Sequence, residues 1–181
     1  MKTDEFELFV QTYGKDILRF CRMTTGSREA GDELYQDTML KLLEKREKLD
    51  AGQNTKSYAV SMAIFLWKNR RKKHAVRARL TPTDSMESLC DEGTQFSDGL
   101  QENSNSPEQI MLRQDEAAEV QRMVAALPEK YRLPIHLYYA AEMQINDIAV
   151  LLHLPEGTVK SRMRKAKQLL KERLEASGYD R

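Results

Sequence analysis

The chain has 181 residues, 40% apolar and 31% charged, with 29 Lys+Arg against 28 Asp+Glu and a net charge of +1. That length suits one ordinary domain or two small ones, and the composition is too charged for a membrane protein and too apolar for a wholly disordered chain. The two cysteines, Cys21 and Cys90, lie far apart without a CxxC pattern, which excludes a disulfide framework.

Taken in chain order, Phe6, Phe9, Val10, Tyr13, Ile17 and Phe20 recur at helical spacing and predict a first helix over about residues 4–22. Thr24–Ser27 breaks that pattern, and Ser27 can cap a second helix that has Glu29 in its first turn and runs to about Lys48. Its inward candidates are Leu34, Leu42 and Leu43. Gly52-Gln53-Asn54 marks a loop. A third helix starts near Thr55, carries Tyr58, Met62, Phe65 and Leu66, and ends in the basic run Lys68–Lys73. No strand-like alternation occurs anywhere.

Thr81–Asn105 is acidic and polar, with too few large apolar groups to offset its ordering entropy, so it reads as a flexible linker. Ser106-Pro107-Glu108-Gln109 combines an N-cap, a proline at the first helical position and a capping box, and it opens the next helix. Leu127-Pro128-Glu129 is a break and restart, and Pro134 should kink the helix that follows. Then come a short apolar helix at Ile145–Leu152, a turn at His153-Leu154, and a long helix from Pro155 to about Leu174. The expected fold is all-α: two small helical domains, 1–80 and 106–181, joined by a flexible acidic linker at 81–105.

The charge is segregated along this order. Residues 51–83 hold 8 Lys/Arg and no acid, residues 84–108 hold 7 acids and no Lys/Arg, and residues 160–173 hold 7 Lys/Arg and one acid. Two basic surfaces separated by an acidic connector point to an anionic partner.

The sharper of the two surfaces is carboxy-terminal. A short apolar helix, a turn and a second helix form a helix-turn-helix layout. In the second helix Val159, Met163, Ala166 and Leu170 make one buried stripe, leaving Lys160, Ser161, Arg162, Arg164, Lys165 and Lys167 on the rest of its surface. Pro155, Glu156 and Gly157 open that helix with backbone N–H groups free to meet a phosphate. Such a helix can enter a major groove, where Arg and Lys reach guanine edges and phosphates; a solvated basic face is the plainer alternative. The other surface, Tyr58–Lys73, sets Tyr58, Phe65 and Trp67 beside Lys68, Arg70, Arg71, Lys72 and Lys73, the mix that holds single strands by stacking and charge. Phe65 and Trp67, on so dense an apolar helix, each fit a core better than a stacking platform. The acidic helix face of Glu29, Asp32, Glu33, Gln36, Asp37 and Glu44 is by spacing alone only a charged face.

Nothing here predicts an enzyme. His74, His136 and His153 are isolated from one another and from the cysteines, which argues against a catalytic pair or a metal site, and Gly14-Lys15 lacks the upstream glycine of a phosphate loop. No cofactor or small-molecule substrate is expected. Met1–Glu7 carries acids with no apolar core behind it, and the most apolar stretch, Tyr58–Trp67, is about half a membrane span, so a cytoplasmic protein without direct membrane insertion is expected.

At Leu127-Pro-Glu-Lys-Tyr-Arg and Pro155-Glu-Gly-Thr-Val-Lys-Ser-Arg the sequence resembles bacterial RNA polymerase sigma factors of the extracytoplasmic-function group of the sigma-70 family. Asp32-Glu-Leu-Tyr-Gln-Asp-Thr-Met is similar to that family's acidic-Gln-acidic helix, and Lys56–Lys73 to its promoter-melting segment, so the likeness covers about four fifths of the chain. The resemblance implies that Asp32, Glu33, Gln36, Asp37 and Leu40 bind the clamp helices of the polymerase β′ subunit, and that the carboxy-terminal body meets the β flap. It implies that Asn54, Lys56, Tyr58, Phe65, Trp67, Lys68, Asn69, Arg70, Arg71, Lys72 and Lys73 take the −10 element and its single strand. It further implies that Glu156, Thr158, Lys160, Ser161, Arg162 and Lys165 meet the −35 duplex, with Arg164 beside a phosphate. Family members often have Gly where His153 stands, which implies a left-handed turn that His tolerates. An anti-sigma partner, often membrane-bound, is also implied. The alternatives are a stand-alone helix-turn-helix regulator that binds duplex DNA without polymerase, and an RNA-binding protein that uses both patches. Dependence on core polymerase separates them.

Overall fold

The computed structural model describes residues 3–46, 54–80 and 117–178, and every regular element among them is a helix. The expected linker at 81–105, the capping box at Ser106–Gln109 and Cys90 lie outside the described residues. In chain order the helices are α1 (Thr3–Thr25), α2 (Arg28–Glu44), α3 (Thr55–Leu80), α4 (117–125), α5 (Glu129–Tyr139), α6 (Ile145–Leu152) and α7 (Glu156–Ala176).

Local chemistry explains most of the boundaries. Gly26, at φ 75°, ends α1 with its N–H on the Arg22 carbonyl, and Ser27 then caps α2 by accepting from the Ala30 N–H at 3.4 Å. Asn54 Oδ1 accepts from the Ser57 N–H at 3.1 Å and so caps α3. The α3 helix does not stop in the basic run but continues to Leu80, because Lys, Arg and Ala are all good helix formers. Conversely α2 ends at Glu44, short of Lys48. The α5 helix runs through Pro134, which has no N–H to give the carbonyl one turn back. At the end of α4, the carbonyls of Met123 and Ala126 accept from Arg173 of α7 and that of Ala125 from Arg132 of α5, so three orphan acceptors are met by guanidinium groups.

Packing joins the two helical bodies into one. Phe9, Ile17, Phe20 and Cys21 of α1, Leu34 and Leu42 of α2, and Ala59, Val60, Ala63, Ile64 and Trp67 of α3 share a continuous apolar cluster with Leu133 and Leu137 of α5, Ile148 of α6, and Val159 and Met163 of α7. A smaller cluster of Val124, Leu127, Ile135 and Ala166 ties α4 and α5 to α7. Burial in an apolar setting pushes the Cys21 thiol up to about 12.

Polar contacts reinforce the junction. Arg19 of α1 donates to the Ala140 carbonyl at 2.9 Å and to Glu142 Oε1 at 2.6 Å, across the loop that follows α5. Glu142 holds φ 50°, a left-handed conformation uncommon for a non-glycine residue, and its carboxyl is held below the usual range by the Arg19 hydrogen bond. Thr24 Oγ1 of α1 lies 3.4 Å from Nδ1 of His136 on α5. His136 is 3% exposed, and burial, with help from the Arg132 charge, lowers its pKa to about 3.

The α1–α2 corner depends on Gly31. A Cβ there would overlap the Arg22 Cα and stand 2.8 Å from the Arg22 backbone nitrogen, so only a bare backbone fits. At that approach the Arg22 guanidinium clasps Asp32 with two bonds, of 2.6 and 3.3 Å.

Two outcomes are expected. Gly31→Ala should destabilise the chain by about 1–3 kcal/mol, the range for overpacked contacts, read as a lower urea midpoint. The unfolded chain protonates His136 near 6.5 and the folded one only near 3, so the neutral form is the folded one. Stability is therefore full above the unfolded pKa and falls with pH toward the folded one, by at most about 1.4 kcal/mol per pH unit. Urea midpoints measured across that window should show this slope, and His136→Gln should flatten it.

Candidate nucleic-acid interface

The α6–turn–α7 unit forms the expected helix-turn-helix. His153 ends α6 in the left-handed conformation, φ 53° and ψ 46°, with its N–H on the Ala149 and Val150 carbonyls. It occupies the place where a glycine would otherwise be favoured. Gln144 precedes α6 without a side-chain cap, and Pro155 does the same for α7, leaving the first-turn N–H groups of α7 without a side-chain acceptor.

On α7 the stripe Val159, Met163 and Ala166 is buried and Leu170 is half-buried, as the spacing predicts. Opposite it, Gly157, Lys160, Ser161, Arg164, Lys165 and Gln168 line one shallow groove on the outer side of the helix. Lys160 pairs loosely with Glu156 at 3.4 Å, Ser161 Oγ donates to the Thr158 carbonyl, and Lys165 Nζ is 3.4 Å from Gln168 Oε1. Arg162 and Thr158 are half-buried and lie on the flank between groove and core, so the structure groups Arg164 with Lys160, Ser161 and Lys165. Lys167 is turned away and sits over the Tyr139 ring at 5.7 Å.

The α3 residues separate by role. Trp67 is 7% exposed and belongs to the core, whereas Phe65 is 59% exposed and faces solvent. The expected core place therefore holds for Trp67 and fails for Phe65. The packed stripe is 59, 60, 63, 64 and 67, whose alanines let neighbouring helices approach, and this turns Phe65 and Tyr58 outward. Asn54 is committed to capping, and Lys56 is tied to Asp16 at 2.6 Å beside the Tyr13 ring. The basic run divides further. Arg70 donates to Asp37 at 2.5 Å and reaches Glu33 at 3.5 Å, while Arg71 stacks over Trp67 at 4.9 Å and donates to Glu129 of α5 at 2.8 Å. Lys68 lies 3.9 Å from the other Glu129 oxygen. Lys72 and Lys73 are exposed and Asn69 is half-buried.

On α2 the outward residues Glu33, Gln36 and Leu40 share one side, with Leu40 58% exposed. Asp32 and Asp37 are drawn into pairs with Arg22 and Arg70, and Arg70 reaches Glu33 more loosely. Glu129, Arg19 and Glu142 are the residues that spacing missed. Glu129 stands inside the Leu127–Arg132 motif, but nothing along the chain signals a partner as distant as Arg71, 58 residues away. Among the described residues no group of His, Cys, Asp and Glu could hold a metal, and no helix is long and apolar enough to cross a membrane.

Comparison with known proteins agrees with this geometry. The Sigma-70 region 2 family matches residues 9–77, and the Sigma-70, region 4 family matches residues 117–170. The chain is 23% identical over 175 residues to the ECF RNA polymerase sigma factor SigW of Bacillus subtilis, covering 94% of this chain and 89% of that protein. It is 26% identical over 172 residues to the RNA polymerase sigma-H factor of Pseudomonas aeruginosa, covering 94% and 86%. In fold it is similar to the sigma factor RpoE solved with the anti-sigma factor NepR from Bartonella quintana, with TM-score 0.73, 18% identity and coverage of 96% and 98%. It is likewise similar to CnrH solved with the cytosolic domain of CnrY, with TM-score 0.61, 16% identity and coverage of 94% and 88%.

The Arg70–Asp37 pair joins the acidic face of α2 to the basic run of α3, and both partners are partly exposed. A double-mutant cycle on Arg70→Ala and Asp37→Ala should give a coupling of about 0.2–1 kcal/mol that shrinks as salt is raised. A coupling unaffected by salt would mean the pair is more deeply shielded than its exposure indicates.

Proposed function

The chain belongs to the sigma-70 family of RNA polymerase sigma factors, in its extracytoplasmic-function group, and from that premise we propose how its surfaces divide the work of initiation. It is a transcription initiation factor that binds core polymerase, directs it to promoters and helps open the DNA. The observation that carries the division is α7: a helix-turn-helix second helix with one cationic groove facing outward and its apolar stripe facing inward.

In this reading residues 1–80 and 106–181 are the two working domains and 81–105 connects them. The groove of Lys160, Ser161, Arg164 and Lys165 enters the −35 major groove, where Lys and Arg reach base edges and the uncapped first turn of α7 meets a phosphate. Glu156, Thr158 and Arg162 border that contact. Phe65 and Tyr58, being exposed, offer stacking faces to the −10 strand, and the run Lys68–Lys73 carries its phosphates. Trp67 acts from beneath by orienting Arg71. The outward side of α2, with Glu33, Gln36 and Leu40, meets the β′ clamp helices, and the carboxy-terminal body meets the β flap.

RNA synthesis itself belongs to the polymerase. A cytoplasmic location and control by an anti-sigma factor fit this reading, since RpoE and CnrH were solved with NepR and CnrY. A stand-alone regulator has no use for an amino-terminal body that matches region 2.

The test is run-off transcription with sigma-free core polymerase and host promoter fragments. Discrete start sites sharing −35 and −10 elements should require the chain. Arg164→Ala or Lys165→Ala should weaken −35-dependent initiation by about 1–3 kcal/mol for each base edge no longer reached. An equal effect on a scrambled −35 element would reduce these residues to phosphate contacts.

A further inference from the structure

We propose that Glu129 blocks the strand-binding run of α3 by standing where a DNA phosphate would stand, so that the chain on its own is self-inhibited for single-stranded DNA until its carboxy-terminal body moves off. The inference rests on the proposed role of Lys68–Lys73.

Both carboxylate oxygens of Glu129 are engaged by that run. Arg71 Nη1 donates to Oε2 at 2.8 Å, and Lys68 Nζ lies 3.9 Å from Oε1. Lys68 and Arg71 are one helical turn apart, so a single anion held between two cations on one α3 face copies the way a backbone phosphate is gripped. The Arg71 guanidinium also lies over the Trp67 ring, 4.9 Å from its centroid, which favours the direction in which it meets Glu129.

The decoy is present only while the bodies are docked, because Glu129 is carried on the first turn of α5. Docking is held by Arg19 on Ala140 and Glu142, by Thr24 against His136, and by the shared apolar cluster. Meanwhile the neighbouring cation Arg70 is occupied by Asp37 and Glu33. An exposed ion pair is weak alone, but a tethered carboxylate acts at an effective concentration that a dilute strand does not match. Strand binding must therefore displace the Glu129 carboxylate, and α5, which carries it, withdraws from α3 as it leaves.

The experiment uses the free full chain and a fluorescent single-stranded oligonucleotide at low salt. Glu129→Gln keeps the shape and removes the anion, and it should bind about 3- to 10-fold more tightly than the parent. Arg19→Ala, which loosens docking without touching α3, should move affinity the same way. A second readout separates displacement from a change of charge alone. Labels at Leu8→Cys and Val150→Cys, exposed sites on α1 and α6, are placed in a Cys90→Ser background, where Cys21 is buried. The distance between them should lengthen when the parent chain binds the oligonucleotide.

Unchanged affinity in Glu129→Gln, or strand binding with no change in label distance, would overturn the proposal. If such a chain still drove promoter-specific transcription with core polymerase, the initiation reading would stand and the intramolecular block would fall. If Glu129→Gln gained strand affinity while no promoter were used, the reverse would hold.

Discussion

The constraint on which the structure depends is that α1 must bury more than one face. Ile17, Phe20 and Cys21 are wholly removed from solvent, and Phe9 and Thr24 nearly so. Helices α2 and α3 cover one side of this 23-residue helix and α5 covers another. A helix covered on one side only would present its remaining apolar surface to water at about 25 cal/mol per Å². The carboxy-terminal body supplies the missing cover, and this is why two short helical units behave as one packed molecule. The position of α5 in turn fixes α6 and α7, so the orientation of α7 and its cationic groove traces back to the packing around α1.

Charge is arranged on the same skeleton. A net charge of +1 conceals pairs that each join different helices or a helix to a loop: Arg22 with Asp32, Lys56 with Asp16, Arg70 with Asp37, Arg71 with Glu129 and Arg19 with Glu142. Singly these partly exposed contacts add little stability. Their larger effect is on specificity of arrangement, because each selects one rotation of a helix about its axis. They also keep much of the cationic surface of α3 compensated, while the outer groove of α7 is compensated only by weaker neighbours on its own helix. Under the proposed division of labour, the surface assigned to duplex is thus closer to readiness than the one assigned to single strand.

How much of this was legible in the residues depended on the range of the interaction. Helices α1, α2, α6 and α7 and the α7 stripe could be read because caps, turns and 3.6-residue periodicity are local. His153 as the turn residue was equally readable. Docking of the bodies was not, since its polar members, Arg19, Thr24, His136 and Glu142, have no spacing in common and no apolar signature. Gly31 was missed because a glycine inside a helix announces nothing until the neighbouring backbone is in view. Phe65 illustrates the same limit: hydrophobicity says a ring prefers burial, but Ala59 and Ala63 decided which side of α3 was buried. For the proposed site, the cationic residues stand out along the chain, while their pairing state could come only from structure.

The thiol of Cys21 carries a last consequence. Thiolate is the reactive form, and at a pKa of about 12 it is almost absent from the folded chain. Because the group is also enclosed, an oxidant can reach it only in molecules whose α1 has pulled away from its neighbours. Chemical damage at this position is therefore a record of past openings. Under oxidising conditions the population would lose selectively those copies that spend time apart, and well-packed copies would survive with their sulfur intact.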